Sequence, residues 1–91
     1  MPSVMDLINF QTNFKRMGTP LRNQVITDAI SRLESDVRPS LKPEHLEHLI
    51  NFENELQQFL NQQKIDEGKL QRLCTTYASF PFFDRFLQKI K

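Results

Sequence analysis

The chain has no tryptophan, one tyrosine, one cysteine and two glycines, and each scarcity removes a class of protein. Cys74 stands alone, so no disulfide can close within the chain. A disulfide-stapled secreted scaffold is excluded, and a reducing compartment, the cytoplasm, is the natural setting. With two glycines there is no glycine-rich loop to cradle a phosphate. Few β-branched residues argue against a sheet. No apolar run is long enough to span a bilayer. The first eighteen residues, MPSVMDLINFQTNFKRMG, carry Asp6 near their start and polar residues at every third or fourth place, which fits neither a signal peptide nor a membrane segment.

Charge of one sign is also missing. The formal net charge is +1, so no global field draws the chain to nucleic acid or to an anionic membrane. The distribution is less even. Residues 1–42 carry +2, residues 43–63 carry −4 with four glutamates and no Lys or Arg, and residues 64–91 carry +3. An acidic middle and a basic tail could pair within one chain or between two.

What is present is ordinary in amount and helical in pattern. Ninety-one residues, 38% hydrophobic and 25% charged, predict one domain, 1–91, with a modest core. The stretch Pro43 to Gln63 organises it: Leu49, Phe52, Leu56 and Phe59 recur at steps of three and four, one face of a helix. Glu44, Glu47, Asn51, Glu55, Gln58 and Gln62 form its back. Ahead of it, Ser3 caps a helix over Val4 to Met17, with Asp6 completing a capping box and Gly18 as the stop. Thr19-Pro20 starts a second helix, to Asp36, with Leu21, Val25, Ile26, Ile30, Leu33 and Val37 inward, Ala29 inside that face and Arg22 outward. Arg38 to Lys42 reads as the longest linker. Asp66 caps a fourth helix bearing Leu70, Leu73, Cys74 and Tyr77, and after Pro81 the residues from Phe82 to Lys91 form a short fifth. The prediction is an all-α antiparallel four-helix bundle with a short fifth C-terminal helix.

Chemistry is sparse. His45 and His48 stand three apart beside Glu44 and Glu47, a metal-ligand spacing, yet no third ligand accompanies them and the order differs from H-E-x-x-H. Cys74 falls on the apolar side of its helix, where an inert thiol is expected. The sequence therefore predicts no catalytic residue, no metal and no cofactor: the chain is not an enzyme.

The strongest functional signal is the aromatic tail. Phe80, Phe82, Phe83 and Phe86 cannot all face one side of a short helix, so either the tail folds back to cap the bundle end or some rings are left for a homodimer seam or a partner groove. Phe80, Phe82, Phe83, Arg85, Phe86 and Lys89 are the predicted partner-binding residues, with the two cations orienting an acidic surface. The expected function is a small protein–protein interaction module, whether adaptor, inhibitor of the immunity type or regulatory subunit, whose partner is an unidentified protein or a second copy in a homodimer. The alternative is a nucleic-acid-binding regulator using Lys15, Arg16 and Arg22 at the first helix junction with Lys69, Arg72, Arg85, Lys89 and Lys91. It is disfavoured by Asp28, Glu34 and Asp36 on the helix that would read the groove.

Overall fold

Ser3 and Asp6 close the predicted capping box reciprocally: the Asp6 amide donates to Ser3 Oγ at 3.1 Å and the Ser3 amide to Asp6 Oδ2 at 3.1 Å. That box opens α1 (Val4–Arg16) in a computed structural model that describes residues 1–90. There follow α2 (Thr19–Arg32), α3 (Pro43–Gln57), α4 (Glu67–Tyr77) and α5 (Pro81–Lys89). The described residues are all-helical, with no strand among them. Proline occupies the first turn of α2, α3 and α5, where its missing N–H costs nothing. The expected fifth helix reached Lys91, which lies outside the described residues.

Three local expectations change. Thr19 is the first helical residue of α2 rather than its cap; Gly18 precedes it in extended backbone, and the Thr19 hydroxyl donates to the Gln62 carbonyl at 3.2 Å. The Arg38–Lys42 linker is mostly helical: a π turn (Leu33–Val37) and a 3-10 turn (Arg38–Ser40) carry the chain to Leu41. The longest connection instead separates α3 from α4. The third helix stops at Gln57, not Gln63, because tighter bonds take over, from the Gln58 amide to Glu55 and from the Phe59 amide to Leu56, each at 3.1 Å. Asn61 then turns the chain with φ of 66°, a left-handed conformation Asn tolerates.

The second helix is also rotated from its expected register. Its buried line is Arg22, Ile26, Ala29, Leu33 and Val37, whereas Leu21 is exposed and Val25 and Ile30 are half-buried. Arg22 can face inward because the ends of two connections supply it with carbonyls. Its Nη1 donates to Met17 at 2.9 Å and its Nη2 to Gln62. Asn23 beside it exchanges bonds with Asn61 at 3.0 and 2.9 Å. The start of α2 is thus pinned to the α3–α4 connection.

Phe52 of α3 lies at the middle of the core. Its ring meets Tyr77, Phe82, Phe83 and Phe86 at centroid distances of 5.2, 5.5, 5.8 and 5.0 Å, mostly edge-on or tilted, as aromatic quadrupoles prefer. Phe10 extends this chain of rings from Phe86 (5.4 Å) to Phe14 (5.3 Å), and Phe14 reaches Phe59 (5.9 Å). Helix α1 packs on α4, α3 on both α2 and α4, and α5 on α2 and the π turn. The radius of gyration is 12.4 Å, close to the roughly 12 Å expected of a compact domain of this length.

Candidate functional site

The six predicted partner-binding residues do not form one surface. Phe82, Phe83 and Phe86 are essentially inaccessible. Three facts of local sequence put them there. Pro81 starts α5 at once, Phe83 and Phe86 are three apart, and Phe82 turns toward Tyr77 at 6.2 Å. Phe80, the residue before the helix, is half-buried. It stacks on Phe82 at 5.2 Å and is covered by the imidazoles of His48 (4.6 Å) and His45 (5.6 Å). Both histidines are thus engaged with a ring. Among the described residues, no group of three or more His, Cys, Asp or Glu side chains is placed to hold a metal ion.

The two cations of the tail separate as well. Lys89 Nζ bonds Asp36 Oδ2 of the π turn at 3.0 Å, and its carbonyl accepts from Arg32 at 3.3 Å. The Lys89 hydrogen bond holds the Asp36 carboxyl below its ordinary range. Arg85 remains exposed. Of the cations in the nucleic-acid set, Arg22 is enclosed, Lys15 is paired with Glu67 at 2.8 Å, and Lys91 lies outside the described residues. Arg16 and Arg72 are exposed.

Cys74 and Tyr77 are both buried. Burial pushes the Cys74 thiol up to about 11, so the thiolate is disfavoured. The Tyr77 hydroxyl donates to Glu55 Oε2, and burial followed by that carboxylate raises the phenol above its ordinary value.

The accessible apolar surface lies on α1 instead. Met1, Val4, Met5 and Ile8 are 87, 74, 61 and 49% exposed, the largest cluster of exposed large apolar residues among the described ones. Val4, Met5 and Ile8 share one helical face, opposite the face that buries Phe10 and Phe14, and Met1 precedes the helix. Helix α1 is therefore apolar on two sides, with one of them in solvent. On the inward side of the same helix, α1 and α5 frame a cleft of about 640 Å³. Phe10, Phe14, Met17, Leu87 and Ile90 supply its apolar wall, and Asp6, Asn9, Asn13, Asp84 and Gln88 its polar one, with Met1 and Pro2 at the same opening. The Met1 ammonium crosses to Asp84 at 3.2 Å. The cleft volume falls in the range of small-molecule pockets, roughly 300–1,000 Å³.

The signal for this face was in the sequence: Met1, Val4, Met5 and Ile8 keep the same three- and four-residue spacing as the inward stripe of Leu7, Phe10, Phe14 and Met17. A helix with two such stripes can bury only one in a domain this small. No helix among the described residues is long and apolar enough to cross a membrane. No protein-family model, curated protein or solved structure matches the chain.

Proposed function

We propose that this chain is a small helical protein–protein interaction module, acting in the cytoplasm as an adaptor, inhibitor or regulatory subunit, and that its working surface is the outer face of α1. Short connections and the α1–α4, α2–α3 and α3–α4 packing support an antiparallel four-helix arrangement with α5 laid across it. The single buried, reduced cysteine supports a cytoplasmic setting. One observation carries the functional reading: Val4, Met5 and Ile8 stand in water side by side on α1 with exposed Met1 ahead of them, while the phenylalanines of α5 are enclosed. Exposed apolar area costs roughly 25 cal/mol per Å², and a contiguous patch of it marks an interaction site. A second copy and an unrelated protein both fit that surface. The nucleic-acid alternative draws less support, since Arg22 is enclosed and Lys15 already has a carboxylate.

The test uses Val4→Asp/Ile8→Asp, two changes at exposed positions that leave the core intact. Sedimentation and hydrophobic-dye binding should show a more monomeric, less dye-binding protein with an unchanged melting curve. Affinity purification from the native cell, read by mass spectrometry, should lose with the variant a partner that the wild type retains. If the wild type is a dye-silent monomer and both proteins recover the same partners, the α1 surface is not the working one.

A further inference from the structure

Two carboxylate oxygens are buried without a donor: Glu34 Oε2 on the π turn and Glu53 Oε2 on α3. Their side chains face each other across the junction where α2 ends on α3, close enough to hydrogen bond. Glu53 is 8% exposed, on the same buried line as Leu49 and Leu56. One cation acts on this pair. Arg38, from the 3-10 turn, bonds Glu34 Oε1 at 2.8 Å, which leaves both Oε2 atoms unanswered. On the other side of the π turn, Asp36 faces Lys89 and Arg85 of α5 and is committed there.

Glu53 is buried and the Oε2 of the half-buried Glu34 is enclosed against it, so ionising both beside a single guanidinium carries a desolvation and repulsion cost. A proton between the Oε2 atoms removes one charge and satisfies both orphans with one strong hydrogen bond. We propose that Glu34 and Glu53 share one proton, and that this proton latches the π turn onto α3, so that the turn is released from α3 when rising pH removes it. The π turn is suited to that role. Such π widening of an α-helix is frequent at functional sites, and here the widened segment carries Glu34 to α3 and Asp36 to α5. Loss of the proton to solvent frees the first tie and leaves the second, because the Asp36–Lys89 pair is ionised already.

Burial, then the Glu34 carboxyl, pushes Glu53 up to about 7 from an ordinary value of 4.5. A folded-state value above the unfolded one means that the native chain holds the proton more tightly. The stabilisation is full below about pH 4.5 and is lost as pH climbs through about 7.

The experiment compares the wild type with Glu53→Gln, whose amide can donate to Glu34 without titrating. Urea unfolding at about pH 5 and about pH 8 should show the wild-type unfolding constant rising roughly a hundredfold more than that of Glu53→Gln. His45 and His48 are present in both proteins, so their contribution cancels in the comparison. Equal pH dependence in the two overturns the shared proton. The carboxyl-carbon resonance of Glu53 in the unmodified protein gives a second readout that no folding defect can confound. A midpoint near neutrality supports the proposal, and one in the ordinary carboxylate range sinks it. Amide exchange over Leu33–Ser40 tests the latch itself. Between the same two pH values it should accelerate in the wild type by more than the intrinsic base-catalysed rise, and in Glu53→Gln by that rise alone. An equal acceleration in both leaves no latch.

Discussion

Arg22 shows how far one residue can depart from what its type suggests. It is 1% exposed and meets no carboxylate; its guanidinium donates to the carbonyls of Met17 and Gln62 while Nε has no partner. Carbonyl dipoles from two chain reversals thus answer a buried charge, and the same two reversals are held by it. Removing the donor leaves the Met17 carbonyl unmet at about 1–3 kcal/mol and the Gln62 carbonyl with the Thr19 hydroxyl alone, so Arg22→Met should lower stability by roughly 1–3 kcal/mol in urea unfolding. Arg22→Lys should fall in between, because a single ammonium lacks the planar fork that spans two acceptors. An unchanged midpoint in Arg22→Met would mean that desolvating the guanidinium offsets its bonds, as happens for some buried charges. The residue's position was legible: Arg22 precedes Ile26 by four and Ala29 by seven, on the inward line. Its chemistry pointed outward, and only the folded arrangement of the Gly18 and Asn61 turns reveals the acceptors. Glu53 repeats the lesson, four residues after Leu49 and three before Leu56.

Helices came through from sequence better than their ends. Caps and prolines are local, so α1, α4 and the starts of α3 and α5 follow from Ser3, Asp66, Pro43 and Pro81. The end of α3 is tertiary. The stripe continues through Phe59 and Leu60, but Asn23 of α2 captures the Asn61 amide, and the chain reverses there. The π turn is tertiary too: Leu33 and Val37 stay buried four apart while Glu34 and Asp36 reach different helices. Of the two readings of the tail, cap or seam, the burial of Phe82, Phe83 and Phe86 fits the cap, because α5 is enclosed from several sides. Phe83→Ala would delete a fully buried ring facing Phe10 and Phe52, at about 3–5 kcal/mol. Set against a total stability of roughly 5–15 kcal/mol, the double change Phe82→Ala/Phe83→Ala should leave no cooperative melting transition by circular dichroism. A variant that still melts cooperatively near the wild-type temperature would show α5 to be peripheral after all. Such a variant is therefore a stability probe, and interaction tests belong on α1.

At the scale of the whole molecule, charge and apolar surface are arranged separately. Among the described residues the ion pairs link Met1 to α5, α1 to α4, the π turn to α5, and Glu34 to Arg38; none uses α3. The acidic helix does not neutralise the basic tail through direct pairs. Its Glu55 accepts from Tyr77, its Glu53 faces Glu34, and Glu44 and Glu47 stay exposed. The sequence isoelectric point is about 7.9, so long-range repulsion between copies is weakest slightly above neutrality. With the Met1–Ile8 face in solvent, self-association should peak in that range. Two salts separate the causes. Sodium chloride at about 1 M shortens the screening length to roughly 3 Å and should flatten the pH dependence without dissolving the associated species. Ammonium sulfate strengthens apolar burial and should increase association at every pH. Light scattering reads both. Val4→Asp/Ile8→Asp should respond weakly to sulfate, because the change removes the face and adds negative charge to the protein. If sodium chloride alone disperses the wild type, the contact is electrostatic, and the α1 face has to be given up as its seat.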